Sequence, residues 1–294
     1  MRLGDENQSS NFEDHTGRSG FGGFGGGGGG VWMLGLLFGF VLSRFGIGGV
    51  LILLLGYCAL STFGGGGGSG PAPSQVQSGA SGSSTLDPAT KDMVLRVLGS
   101  TERRWTDLFA QSGRQYEPTT LVFYSRSDQS GCGAAQSAMG PFYCPSDRKI
   151  YLDASFFEEL RSRFGAEGDF AAAYVIAHEV GHHVQHLTGT LDRAHNMQSR
   201  ASSAEGNAVQ VRVELQADCY AGVWAANDRN LLEPGDVEEG LGAASAIGDD
   251  TLQRQAQGRV VPESFTHGSS AQRMEWLRRG LQTGNVEACN TFAG

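Results

Sequence analysis

Apolar residues return at three- and four-residue spacing in several stretches of the chain, and each such stretch predicts an amphipathic helix. The longest are Asp87–Gln111, Asp169–Thr188 and Glu205–Asp228, and a shorter one, MEWLRRGLQTG, lies near the end. In the first, Met93, Val94, Val97, Leu98, Trp105, Leu108 and Phe109 are the expected core face. Thr119–Tyr124 and Lys149–Leu152 are instead β-branched and aromatic runs, the pattern of strands. Between them Gly131–Cys144 is rich in glycine and alanine, and Ala138–Tyr143 reads as an edge strand or a loop. The expected architecture is therefore α+β: a mostly helical domain with a small antiparallel sheet.

A different pattern precedes this domain. Residues 1–30 are polar and then glycine-rich, a composition that buries no core and predicts disorder. Val31–Phe63 is apolar with Arg44 as its single charge, and Ile47–Phe63 alone gives 17 uncharged residues, the lower limit for a spanning helix. It reads as an uncleaved membrane anchor, one transmembrane helix with Arg44 near the interface, or else a hairpin of two short spans. Residues 64–85 form an uncharged Gly/Ser/Pro tether, and 86–294 suit one domain. Arg2, Arg18 and Arg44 lie before or at the edge of the apolar run, whereas 64–90 contain no lysine or arginine. That bias predicts a single-pass cell-membrane protein with a cytoplasmic N-terminus and the large domain extracytoplasmic.

The Asp169–Thr188 stretch carries the candidate chemistry. It contains His178-Glu179-Val180-Gly181-His182. On a helix, side chains four apart leave the same face one turn apart, so both imidazoles can share one small cation. Glu179, one step round the axis, can act on a water beside that cation without being a ligand. Gly181 leaves room for a second helix to approach closely. The second helix carries Glu214-Leu215-Gln216-Ala217-Asp218. Glu214 can close the metal set, and Asp218 can hold the free ring nitrogen of a ligand histidine; a solvated acidic face is the plain alternative. Two imidazoles and a carboxylate suit zinc with one position open for water.

HEVGH followed by VELQAD resembles the gluzincin zinc peptidases, in which a glutamate from a second helix completes the site. More closely, GPFYCPSDRKIYLD, FEEL, AHEVGHHVQHLTG and ELQADCYAGVW, together with the charged opening and apolar span, resemble the bacterial membrane-anchored neutral zinc metallopeptidase family. The resemblance implies a zincin-like fold, one zinc ion on His178, His182 and Glu214, Glu179 as general base, and Asp218 behind a ligand. The metzincin continuation is not met, because Gln185 and Thr188 stand where a glycine and a third histidine belong. His183 and His186 read as surface groups or as partners behind the ligands. His267, in a Thr-His segment before the last helix, resembles a gluzincin histidine that faces the developing oxyanion, with Arg273 to orient it; Thr266 or Ser269 as a helix cap is the simpler account of that segment. Tyr174 and Tyr220 read as core.

Composition narrows the partners. Residues 86–294 hold 19 Lys and Arg against 27 Asp and Glu, a charge of −8, which argues against nucleic acid. Cys132, Cys144, Cys219 and Cys289 permit three pairings. Cys132 with Cys144 would close a local loop, and Cys219 with Cys289 would tie the chain's end to the second site helix. Free or buried thiols are the alternative. The expected activity is hydrolysis of a peptide or protein substrate. A zinc-stabilised adaptor and an amidase acting on cell-wall peptides are the competing readings.

Overall fold

Asp87 caps the helix that opens the main body of the chain, its carboxylate accepting the backbone N–H of Thr90 at 2.8 Å. The computed structural model describes residues 1–4, 6–17, 86–153, 155–162, 168–228 and 230–293. The anchor expected at 31–63 and the tether at 64–85 lie outside these residues. Among the described residues no helix is long and apolar enough to cross a membrane.

The described elements run β1 (Phe12–Asp14), α1 (Pro88–Gln111), β2 (Thr120–Tyr124), β3 (Ser127–Ser130), β4 (Gly133–Gln136), β5 (Phe142–Cys144) and β6 (Lys149–Asp153). Helices follow: α2 (Phe156–Ser162), α3 (Asp169–Leu187), α4 (Thr190–Gln198), α5 (Ser203–Asn227), α6 (Asp236–Ala246), α7 (Asp249–Gln257) and α8 (Ser270–Thr283). The α+β, mostly helical expectation holds. Helix α3 is all but buried and packs on α1, α5 and α6, while α5 packs along α8. The core contains Trp105, Phe170, Tyr174 and Trp224, and Trp224 donates its indole N–H to Ser100 at 2.9 Å. Tyr220 packs against Trp105, as its core reading requires.

The sheet differs from expectation. Its order is β1-β2-β6-β5, with β1-β2 and β2-β6 parallel and only β5-β6 antiparallel. The small sheet is therefore mixed, not antiparallel. Strands β2 and β6 run the same way because the β3-β4 hairpin and β5 occupy the crossover between them. Strand β5 is an edge, as Ala138–Tyr143 suggested, but it starts at Phe142, after a single 3-10 turn over Ser137–Met139.

A second correction concerns the opening residues, expected to be disordered over 1–30. Residues 6–17 are folded onto the domain. Leu121 N–H donates to Asn11 O at 3.0 Å and His15 N–H to Phe123 O at 2.8 Å, which completes β1 as a parallel edge. Lys149 reaches Glu13 at 2.6 Å, Lys91 reaches Asp14 at 2.8 Å, and Arg103 pairs with Glu6. The glycine at 99 on α1 makes this approach possible: a Cβ there would stand 2.2 Å from the carbonyl oxygen of Asn7. Polarity alone predicted solvent exposure, but Glu6, Gln8, Ser9, Asn11, Glu13, Asp14 and His15 all have side-chain partners on the domain.

Both proposed cysteine pairings are present, Cys132–Cys144 and Cys219–Cys289. The first ties β5 to the tip of the β3-β4 hairpin. The second ties the C-terminal segment to the middle of α5.

Candidate metal centre

Two helices build the site, and the contact between them is made by small residues. On α3, Gly181 separates the turn bearing His178 from that bearing His182. A Cβ at Gly181 would lie 3.1 Å from both Cα and the carbonyl oxygen of Ala217 on α5. That close approach brings Glu214 Oε2 to 3.2 Å from His178 Nε2 and 3.6 Å from His182 Nε2. The three ligand atoms lie within 4.8 Å of one another. Ligands about 2.1 Å from a tetrahedral ion are separated by roughly 3.4 Å, so the donor set fits a small divalent ion.

What lies behind the ligands decides which nitrogen faces the centre. His178 Nδ1–H donates to Asp218 Oδ1 at 2.8 Å, and His182 Nδ1–H donates to Gln185 Oε1 at 2.9 Å. Both Nε2 atoms therefore face the centre. Gln185 is fully buried and is itself held, donating to Val213 O at 2.7 Å and Gln216 Oε1 at 3.1 Å. Gln210 donates to the outer oxygen of Glu214 at 2.9 Å. Asp218, with no exposed surface, also accepts from Tyr174 Oη at 2.6 Å and from Arg273 Nε and Nη2 at 2.9 and 2.8 Å.

The charges follow from this arrangement. Burial would raise the pKa of Glu214, but His182 and His178 outweigh it and hold the carboxyl well below its usual range. Burial acts likewise on Asp218, and Arg273 and His178 again win. Burial would lower His178, yet the carboxylates of Asp218 and Glu214 push it up to about 9. A buried and a half-buried imidazole face an ionised carboxylate, and the cluster draws in positive charge, as a proton or as a metal ion.

Glu179, only 6 % exposed, lines the same cleft of about 1320 Å³ as the three ligand candidates. His267 is on its wall, with a half-exposed ring whose Nδ1 lies 3.2 Å from Asp249 Oδ1. Asp249 Oδ2 accepts the backbone N–H groups of Thr266, His267 and Gly268 at 2.7, 2.6 and 3.2 Å, fixing the loop. The Asp249 carboxylate raises the His267 pKa, against burial. A second acidic group, Asp169, Asp236 and Glu239, offers no imidazole, and the Met1 amino group already lies 3.1 Å from Asp169 and 3.3 Å from Asp236.

The whole of this arrangement falls within one family match: residues 1–292 match the family described as "Putative neutral zinc metallopeptidase". The chain belongs to that family. It is similar to the uncharacterized protein YpfJ of Escherichia coli K12, at 48 % identity over 245 residues, covering 83 % of this chain and 84 % of YpfJ. It is also similar to the uncharacterized protein Rv2575 of Mycobacterium tuberculosis H37Rv, at 47 % identity over 191 residues, 60 % of this chain and 64 % of that one. No solved structure matches the chain.

In this family member the structure brings together His178, Glu179, His182, Glu214 and Asp218, and sets His267 on the wall of the same cleft. Two readings change. Arg273 does not orient His267; it grips Asp218, and Asp249 takes the orienting role. Ser269 caps α8 through a reciprocal capping box with Gln272, which accounts for that serine without involving His267. Sequence reasoning missed Gln185 and Gln210. Their signal was spacing, since Gln185 is three residues after His182 and Gln210 four before Glu214. Tyr174 is core by burial and also part of the Asp218 network.

His183 is buried at 1 % exposure and is not a surface group. Its Nε2–H donates to Glu117 O at 2.6 Å, and Nδ1 accepts from Tyr143 Oη at 3.1 Å. Burial pushes its pKa down to about 4, so the ring is neutral and joins α3 to strand β5.

Proposed function

We propose that the chain is a zinc-dependent metallopeptidase of zincin-like fold that hydrolyses a peptide bond of an extended substrate lying beside β5. The observation that carries this reading is the convergence of His178 Nε2, His182 Nε2 and Glu214 Oε2 from two helices, with both outer ring nitrogens already satisfied. Zinc bound there supplies Lewis-acid polarisation of a carbonyl and makes water a stronger acid.

The remaining work falls to the chain's own side chains. No described group donates a hydrogen bond to Glu179, which leaves its carboxylate available to take a proton from the attacking water and return it to the leaving amine. His267, held by Asp249, whose carboxylate raises its pKa, donates to the oxyanion that develops on the substrate carbonyl. Arg273 keeps Asp218 ionised, so the His178 tautomer persists through turnover. Edge strand β5 has no described strand on its outer side, and Phe142 and Tyr143 line the cleft, where an extended peptide can add as a further strand.

The test is elemental analysis with a peptide-library digest of the full chain. Glu179→Gln should keep its zinc and lose roughly 10²–10⁴ in rate, whereas His178→Ala should lose the metal. Cleavage at the original rate by Glu179→Gln would refute the base assignment. Zinc binding without cleavage of any peptide would point to an adaptor, and selective release from wall fragments to an amidase.

A further inference from the structure

The folded opening residues carry a consequence for membrane topology, independent of the proposed chemistry. A single crossing by the apolar run at 31–63 would put residues 1–17 and residues 86–294 on opposite faces of a bilayer. Yet these two parts share a sheet. β1 pairs with β2 in register, Phe12 with Leu121, Glu13 with Val122 and Asp14 with Phe123. The contact is not confined to one strand. Ser9 N–H donates to Leu95 O at 2.9 Å, Ser9 Oγ and Asn11 Nδ2 meet Glu102 at 2.6 and 2.9 Å, and Arg96 donates to Glu6 O at 2.6 Å.

The two chain ends that flank 18–85 are also adjacent. Asp14, at the end of β1, pairs with Lys91 in the first turns of α1 at 2.8 Å, and Leu86 is already buried in the core. The compartment follows from the cysteines: all four in the described domain are paired, which fits an oxidising environment and not the cytoplasm.

We infer that residues 1–17 and the catalytic domain occupy one oxidising compartment, so that the N-terminus is extracytoplasmic and both connections to residues 18–85 leave from the same side. This replaces the single-pass arrangement expected from the distribution of arginines. That expectation counted Arg2 and Arg18 as free to remain inside, whereas Arg2 Nε lies 3.0 Å from Glu233 on the domain.

The inference is tested in the full chain expressed in Escherichia coli, in a Cys58→Ser background that leaves no free thiol beyond the two disulfides. Ser10→Cys introduces an exposed thiol just before β1, and Gln111→Cys an exposed thiol at the end of α1. Cells with a permeabilised outer membrane are treated with a membrane-impermeant maleimide before and after lysis. Labelling of both thiols to the same extent before and after lysis is expected. Labelling of Gln111→Cys in intact cells with Ser10→Cys reacting only after lysis would overturn the inference. So would protection of both until lysis, which would place the domain in the cytoplasm.

Discussion

Gly181→Ala is the sharpest test of how the metal centre is assembled. The added Cβ would meet Ala217 Cα and O at 3.1 Å and Ala217 Cβ at 3.2 Å, and relieving these contacts to 3.4 Å requires α3 and α5 to part by about 0.3 Å. Overpacking of this kind costs about 1–3 kcal/mol. Alanine returns about 1 kcal/mol of helix propensity. The net expectation is a loss of about 0–2 kcal/mol, with Tm falling about 2–4 °C per kcal/mol for a domain of this size. The functional effect is larger than the thermal one. Metal–ligand distances tolerate only about ±0.2 Å, and the separation acts directly between the imidazoles on α3 and Glu214 on α5. Zinc affinity should fall about tenfold, the lower end of what losing an orienting partner costs. Gly206→Ala, early in α5, is the control, because its Cβ would meet nothing within 4 Å. That change should stabilise by about 0.5–1 kcal/mol and leave zinc affinity unchanged. Thermal melts and competition titrations with a chromophoric chelator measure both effects. If Gly181→Ala gained stability as Gly206→Ala does and bound zinc equally well, the close helix contact would not set the ligand geometry.

Two further predictions rest on histidines that are not ligands. His183 has a folded-state pKa of about 4 against 6.5 unfolded, so the unfolded chain binds the extra proton and stability falls as pH drops from 6.5 towards 4. The gap is worth about 3 kcal/mol. Urea melts of metal-free protein should show that loss in the wild type and not in His183→Gln, and parallel curves would refute it. Asp249→Asn should lower the His267 pKa towards its ordinary value while the zinc content stays constant. If protonated His267 is the donor, the alkaline limb of the pH–rate profile moves to lower pH and kcat falls about tenfold, less than the ~10²–10³ lost on deleting an oxyanion donor. An unchanged profile would remove His267 from the reaction.

The parts of this molecule legible in its sequence are those fixed by local periodicity. Two imidazoles four apart and two carboxylates four apart have their geometry dictated by the helix on which they sit, so each pair could be placed on one face from spacing, and the resemblance to gluzincins implied that the two faces meet. Gly181 marked the contact between those helices for the same reason. The illegible parts depend on neighbours distant in sequence. The β1 strand is three residues, FED, with no alternation to reveal it, and its partner β2 begins more than a hundred residues later. The mixed sheet followed from a crossover made of a hairpin where a helix is usual. Arg273 was assigned to its near neighbour His267 because sequence shows proximity along the chain, whereas the carboxylate it grips belongs to another helix.

One rod of backbone, α3, holds the candidate metal-binding imidazoles on one side and, through His183 and Tyr143, the strand beside which a substrate would lie. Scissors whose pivot and blade are cut from one bar cannot lose their alignment by wear at a joint. A disturbance that tilts this bar would carry strand and imidazoles together, so their mutual register would outlast a change in the bar's own position.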